Sequence, residues 1–288
     1  MVTNKEDPNQ GEVEEKSFFK IIVHSFFIIP FLIAVFCVLM FAGINLLTRE
    51  NRTVYDYLED VKTGGLTKRW QGAFELSKIL SNHALLPKEE RFSNELISAF
   101  EQSRHDDNRI RQYLALAMGR TGRKEFVKPL MDGLNNEKEE NLAAIIYALG
   151  ALKDKQASPV LSDYLDHSDP RIRSIAVVAL GTIADGSSKG VLQGALQDKE
   201  PNVQWGAAIS LAQMGDSSGK VILLKLLSRE YLEKFPEVDP DEQTNLLLSA
   251  LQAASNLKDD TLMTRINELS KTDKNMKVRS AAMEILER

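Results

Sequence analysis

The sequence predicts an all-α protein, a right-handed α-solenoid of about six helix pairs preceded by one transmembrane helix. Two observations predict this architecture. A unit of 31 residues recurs in fixed register through the middle of the chain, and a long uncharged apolar segment lies near its N-terminus. Self-similarity at such a period is the signature of stacked supersecondary units, which bury their apolar faces against one another.

The first 47 residues divide into a tail and an anchor. Residues 1–17 are acidic and polar, a composition typical of disorder. Within residues 18–47, the segment Phe26 to Leu47 contains no charged side chain. As a helix it would measure about 33 Å, enough to cross a bilayer core of about 30 Å. A buried core helix and a cleaved signal peptide are the alternatives. We favour a signal-anchor helix because the segment is apolar on all faces and no small-x-small cleavage site follows it.

Basic residues near the span bear on its orientation, because positive charge is retained on the cytoplasmic side. Three lysines precede the span, three basic residues follow it closely and two more lie slightly beyond: Lys5, Lys16 and Lys20, then Arg49, Arg52 and Lys62, then Lys68 and Arg69. The count ties or tilts slightly towards a solenoid on the cytoplasmic side. The alternative is a solenoid on the periplasmic or extracellular side.

Residues 48–65 are predicted to link the anchor to the solenoid. Val54 to Val61 has the pattern of a short helix, and Thr63-Gly64-Gly65 has the composition of a flexible hinge. The solenoid is then expected to occupy residues 66–288.

The repeat is marked by small residues near the end of one helix. Gly119, Gly150, Gly181 and Ala212 are 31 residues apart, and each follows a large apolar residue. Apolar stripes of helical period lie before and after this position, so each unit is a helix, a short turn and a second helix. Asp169 followed by Pro170 has the pattern of an N-cap and first helical residue.

The helix pairs can be counted from these patterns. One loosely registered pair comes first, four well-registered pairs follow, then a sixth pair and a half repeat: Thr67–Ser81 with Phe92–Gln102, four pairs between Asn108 and Ser228, Thr244–Ala254 with Asp260–Ser270, and Val278–Arg288. An aspartate also recurs after each first helix, at Asp154, Asp185 and Asp216, where it is expected to cap the second helix.

Two of these runs, RIRSIAVVALGTIAD and NVQWGAAISLAQMGD, resemble the short HEAT-like repeats of phycobilisome lyases. The resemblance covers roughly residues 66–288. It implies a HEAT-like solenoid in a membrane-anchored chain. The proteins of this family are mostly adaptors, with a few enzymes among them.

The enzymatic members of this wider family carry features that are absent from this sequence. HEAT-like hydroxylases bind iron through His-Glu pairs, whereas the four histidines here are followed by Ser25, Ala84, Asp106 and Ser168. A bilin lyase role is disfavoured because no cysteine that could assist bilin transfer lies outside the apolar segment. A net charge of −5 without a basic stripe disfavours nucleic acid as a partner. We therefore expect no catalytic residues, cofactor or metal.

Two features depart from pure repetition and are candidate partner-binding surfaces. The first is an insertion, REYLEKFPEVDPDEQ at residues 229–243, with Tyr231 and Phe235 amid acidic residues. Insertions in solenoids often bind partners, although a simple extension of the second helix is the alternative. The second is the polar face of the second helices, which is otherwise merely solvated: Lys128, Asp132, Asp163, Lys189, Gln193 and Lys225.

These features predict a non-catalytic scaffold or accessory subunit that binds protein at the membrane surface. Candidate partners are a membrane transporter or another envelope complex, and the lipid bilayer itself surrounds Phe26 to Leu47. Two alternatives remain open: a lyase-like protein that handles a chromophore or cofactor, and a sensor that binds a peptide or lipid.

Overall fold

The computed structural model describes residues 24–47 and 52–287, which form two separate units divided after Arg52. The predicted acidic tail and the positions of Lys5, Lys16, Lys20 and Arg49 lie outside the described residues. The described part is helical and contains no strand. Its helices are α1 (Ile29–Leu47), α2 (Val54–Thr63), α3 (Leu66–Ile79), α4 (Glu90–Gln102), α5 (Asn108–Arg120), α6 (Val127–Gly133), α7 (Glu139–Leu152), α8 (Ser158–Ser162), α9 (Pro170–Ile183), α10 (Lys189–Ala195), α11 (Pro201–Gln213), α12 (Lys220–Leu226), α13 (Arg229–Leu232), α14 (Pro240–Ser255), α15 (Asp260–Thr272) and α16 (Met276–Leu286).

The N-terminal unit is the helix α1, which follows a π-helical turn at His24–Ile28. Among the described residues, Phe26–Ile44 is a stretch long and apolar enough to cross a membrane. Length and composition alone are weak support for a membrane span, because a signal sequence near an N-terminus passes the same test. Pro30 lies immediately after the π-helical turn, where its ring and its missing N–H interrupt the regular i→i−4 hydrogen bonding.

The second unit is an α-solenoid of six helix pairs and a half repeat, as the sequence predicts. The first helices of the pairs are α3, α5, α7, α9, α11 and α14, and successive ones pack along each other. The second helices of the four central pairs are only five to seven residues long. They are short because a one-turn 3₁₀ segment precedes each of them. The leucines that repeat in this layer, Leu130, Leu161, Leu192 and Leu223, are fully buried.

The repeated glycines mark the closest contacts between first helices. A methyl group placed on Gly119 would lie 2.7 Å from the Cα atom of Ala148, and one on Gly150 would lie 2.8 Å from the Cα atom of Ala179. Gly181 faces Ser210 in the same way. Each contact joins a glycine to a small residue 29 positions later, so neighbouring first helices run parallel and nearly in register.

The turns between first and second helices share one backbone geometry. A residue with positive φ recurs at the same register: Gly122, Lys153, Ala184, Gly215 and Lys258. The next aspartates then accept hydrogen bonds from backbone N–H groups, as Asp154 does from Gln156 and Asp216 does from Ser218. The predicted caps are therefore present, but they begin the 3₁₀ segment rather than the second helix itself.

The segment expected to be a linker contributes a helix to the solenoid. Val54, Leu58 and Val61 of α2 are buried, and α2 packs along α3. The predicted hinge at Gly64 is a tight connection, since a methyl group there would lie 2.5 Å from the carbonyl oxygen of Asp60. The solenoid unit thus begins at Thr53 rather than at residue 66, because the spacing of these three apolar residues gives α2 a buried face.

Candidate partner-binding surfaces

The aromatic residues of the insertion pack onto the stack. The ring of Phe235 lies edge-on to that of Trp205 at 4.8 Å, and Tyr231 lies 6.3 Å from Trp205. The indole N–H of Trp205 donates to the hydroxyl of Tyr231 at 3.2 Å. Trp205 is only 3% exposed. The two aromatic side chains that the sequence suggests for partner binding are therefore half-buried and hold the insertion in place.

Polar contacts fix both ends of the insertion. At its start, the guanidinium of Arg229 makes two bonds to the carboxylate of Asp273, at 2.9 and 3.0 Å. At its end, the amide of Gln243 donates to the carbonyl oxygens of Phe235 and Val238 at 3.3 and 3.0 Å. The insertion consequently folds as the short helix α13 and an ordered loop. Its exposed part is the tip around Pro236.

The candidate residues on the second helices do not converge on one site. Lys128 and Asp132 pair with each other at 3.6 Å on an exposed helix surface. Gln193 donates to Asp216 at 3.2 Å and to Ser218 at 3.0 Å. The remaining three are spread over three helices or turns: Asp163, Lys189 and Lys225. A groove of about 400 Å³ does lie between α8 and α10, but none of these six residues lines it.

The first helices carry an apolar groove that the sequence analysis did not identify. It lies between α7 and α9, has a volume of about 390 Å³ and is lined mainly by apolar atoms. Tyr147 and Val178 form its walls and are 52% and 49% exposed. Its floor contains Gly150 and Ala179, whose small size brings the two helices together. Lys153, Ser174 and Thr182 supply the polar side chains of its lining.

This groove belongs to a stripe that recurs through the repeats. Leu116, Tyr147, Val178 and Ile209 each precede the repeated small residue by three positions, and none of them is buried. Ile175, which the periodicity assigns to the core, is half-buried and lines the groove. The sequence signal was an apolar residue at the same position of four successive repeats. A helical wheel does not separate that position from the core.

Charged side chains of the described solenoid form ion pairs and helix caps. Arg111 and Glu137 form a buried pair, with side chains 2% and 1% exposed. Arg173 binds Asp198 through two bonds of 2.8 Å, and this contact lowers the pKa of Asp198. The side chain and backbone N–H of Arg109 lower the pKa of Asp107 to about 2. Arg111 and Arg173 occupy the same position of their first helices, so the two buried pairs recur at one register of the stack.

The described residues also contain no group of three or more His, Cys, Asp or Glu side chains placed to hold a metal ion. Asp106, next to His105, is bound by the guanidinium of Arg69. Asp107 caps α5 through the N–H of Arg109.

Comparison with known proteins places the repeats in a recognised class. A family model of HEAT repeats matches residues 94–181 and 158–233. Comparison with curated protein sequences gives no significant match.

Two solved structures share the fold. The complex of CpcE and CpcF of phycocyanin lyase from Nostoc sp. PCC7120 is 21% identical, with a TM-score of 0.57 over 83% of this chain and 96% of that chain. The YibA protein of Escherichia coli is 15% identical, with a TM-score of 0.50 over the full length of both chains. At these identities the likeness concerns the fold alone.

Proposed function

We propose that this HEAT-repeat chain is a membrane-anchored, non-catalytic scaffold or accessory subunit that binds a protein partner through the apolar groove of its first helices. The observation that carries the proposal is the exposed apolar stripe that includes Tyr147 and Val178. The proposed membrane anchor is the stretch Phe26–Ile44, the one candidate span among the described residues.

The stripe fits protein recognition better than catalysis. Tyrosine is enriched among the residues that dominate binding energy in protein interfaces, and exposed apolar patches mark interaction sites. The groove between α7 and α9 is lined by hydroxyl and ammonium groups among its apolar side chains, and by no carboxylate, imidazole or thiol. Such a surface suits apolar side chains projecting from a partner's helix or extended segment.

The proposed partner class follows from the anchor. A single span holds the solenoid close to the bilayer, which restricts it to proteins that lie in or at the same membrane. A transporter or another envelope complex meets this condition. The proposal assigns the solenoid to the cytoplasmic side, from the distribution of lysine and arginine near the span.

Two matched substitutions test the groove. Val178→Asp places a charge in the groove, whereas Val221→Asp makes the same change at a site 66% exposed on the second helix α12. Both variants are expected to fold, since neither side chain is buried. After in-membrane cross-linking and affinity purification, mass spectrometry should identify a membrane protein that the wild type and Val221→Asp retain and Val178→Asp loses.

Other outcomes would move the function elsewhere. Equal capture by all three proteins would remove the groove from the interface. A protein purified without a partner but with a bound chromophore or metal would support the lyase-like alternative. A co-purifying peptide or lipid would support the sensor.

A further inference from the structure

The two edges of the solenoid carry opposite charge. One edge is formed by the turns from first to second helices, at residues 81–91, 120–128, 153–156, 184–189, 214–220 and 256–260. We call it the basic edge, because these turns contain 11 basic and 8 acidic residues. The opposite edge, called the acidic edge, is formed by residues 103–107, 135–140, 163–169, 198–200, 229–239 and 273–275, with 6 basic and 15 acidic residues.

The positive excess is concentrated in the second and third pairs. Turns 120–128 and 153–156 hold six basic and two acidic side chains. Lys124 and Lys128 are 79% and 86% exposed, and Lys153 and Lys155 are exposed as well. The two turns are neighbours in space, since the ammonium of Lys124 lies 3.5 Å from the carboxylate of Asp154. The exposed lysines of two turns that are separate in the sequence therefore lie on neighbouring turns of one edge.

The chain enters the solenoid at this same edge. Thr53 begins the unit, and α2 starts beside the turn of the first pair. Tyr55 donates from its hydroxyl to Glu89 at 3.4 Å, and its ring lies 6.0 Å from that of Phe92. In the sequence, only residues 48–52 separate Thr53 from the end of α1.

We propose that the basic edge docks on the surface of an anionic lipid bilayer, with the acidic edge directed away from it. The inference rests on the membrane anchor of the proposed function. A short tether holds the entry point of the chain near the headgroups, and the lysines of the adjacent turns are attracted to anionic lipid. The attraction acts within about a Debye length of the surface, which is about 8 Å at physiological salt.

The test uses the full chain in nanodiscs with the native thiol removed by Cys37→Ser. A fluorophore is attached through Gln156→Cys on the basic edge or through Ser168→Cys on the acidic edge, both at exposed positions. The nanodiscs contain a headgroup-linked quencher in either neutral or mixed neutral and anionic lipid. In anionic discs we expect quenching at position 156 to be several-fold stronger than at 168. The difference should disappear in neutral discs, and also at about 1 M salt, where the Debye length falls to about 3 Å.

Charge reversal provides the matched control. Lys124→Glu with Lys155→Glu changes the basic edge, and Lys138→Glu with Lys199→Glu makes the same change in net charge on the acidic edge. The first pair should lower the ratio of docked to undocked protein about 5-fold for each positive charge removed. The second pair should leave the ratio unchanged. Hydrogen exchange of the helices would verify that both variants are folded.

The outcomes separate the two proposals. Equal quenching at positions 156 and 168 in anionic discs would overturn the docking proposal, as would a difference that survives high salt. Unchanged quenching with loss of the cross-linked protein partner in the Lys124→Glu, Lys155→Glu variant would assign the basic edge to protein instead of lipid. Failure of the full chain to insert into nanodiscs would instead refute the anchor of the proposed function.

Discussion

Gly150 is the clearest point at which the packing of the first helices can be tested. A methyl group at this position would lie 2.8 Å from both the Cα and Cβ atoms of Ala179. Carbon atoms in favourable contact are about 3.5–4.0 Å apart, so α7 and α9 would have to separate by roughly 1 Å. Overpacking of this kind costs about 1–3 kcal/mol. Alanine would return up to about 1 kcal/mol through its higher helix propensity.

Gly194 provides the control for Gly150→Ala. It lies in α10, and a methyl group there would have no atom within 4 Å. Gly194→Ala should therefore be neutral or stabilising by up to about 1 kcal/mol. Since both substitutions gain helix propensity, the difference between them largely isolates the crowding term of about 1–3 kcal/mol.

Native-state hydrogen exchange is the suitable assay, because long repeat arrays do not always unfold in one cooperative step. Relative to Gly194→Ala, the Gly150→Ala protein should lose protection in α7 and α9 by a factor of about 5 to 150, the equivalent of 1–3 kcal/mol. The more distant α3 and α15 should change less. If Gly150→Ala is as well protected as Gly194→Ala, the close approach of the first helices is refuted.

Two further predictions concern charged groups. Arg111→Ala should lower the free energy of opening of α5, measured by native-state hydrogen exchange, by about 3–5 kcal/mol, because it leaves the buried carboxylate of Glu137 without its partner. Lys128→Ala, at an exposed pair, should change the free energy of opening by less than about 0.5 kcal/mol in the same assay. For Asp107, the pKa is lowered to about 2 in the folded protein by the guanidinium two residues on. Its stabilising effect should be complete above the unfolded pKa of about 3.9 and be lost as the pH falls through about 2. Asp107→Asn should therefore flatten the dependence of the unfolding midpoint on pH in this range, and an unchanged pH profile would contradict the assignment.

The periodic part of the fold could be predicted because its physics is local. The repeated glycines, aspartate caps and buried leucines each reflect one constraint that recurs every 31 residues, and the structure confirms the six pairs that they indicate. The helix α2 was predicted at Val54 to Val61, but its packing onto the solenoid was not, because Gly64-Gly65 has the composition of a hinge. There, glycine serves a tight connection between two packed helices.

The surfaces were harder to predict because they are assembled from several repeats. Tyr231 and Phe235 look like binding residues in the sequence. In the structure they pack on the buried side chain of Trp205, which lies 26 residues before Tyr231. Tyr147 and Val178 look like core residues, yet the groove leaves them half exposed. In the sequence, the lysines of the basic edge occur in basic runs of at most two residues. They come to lie on one edge only because the turns stack.

The shared geometry of the first-to-second turns also bears on how the chain can vary in length. The left-handed residue and the aspartate cap keep the same spacing at residues 184–185 and 215–216, and again at 258–259, after the insertion of twelve residues on the opposite edge. Added residues were absorbed at that edge by α13 and its loop, while the next turn kept its geometry. A stack built in this way has one edge of fixed length and one that accommodates extra chain, so new loops can be acquired without disturbing the spine of first helices.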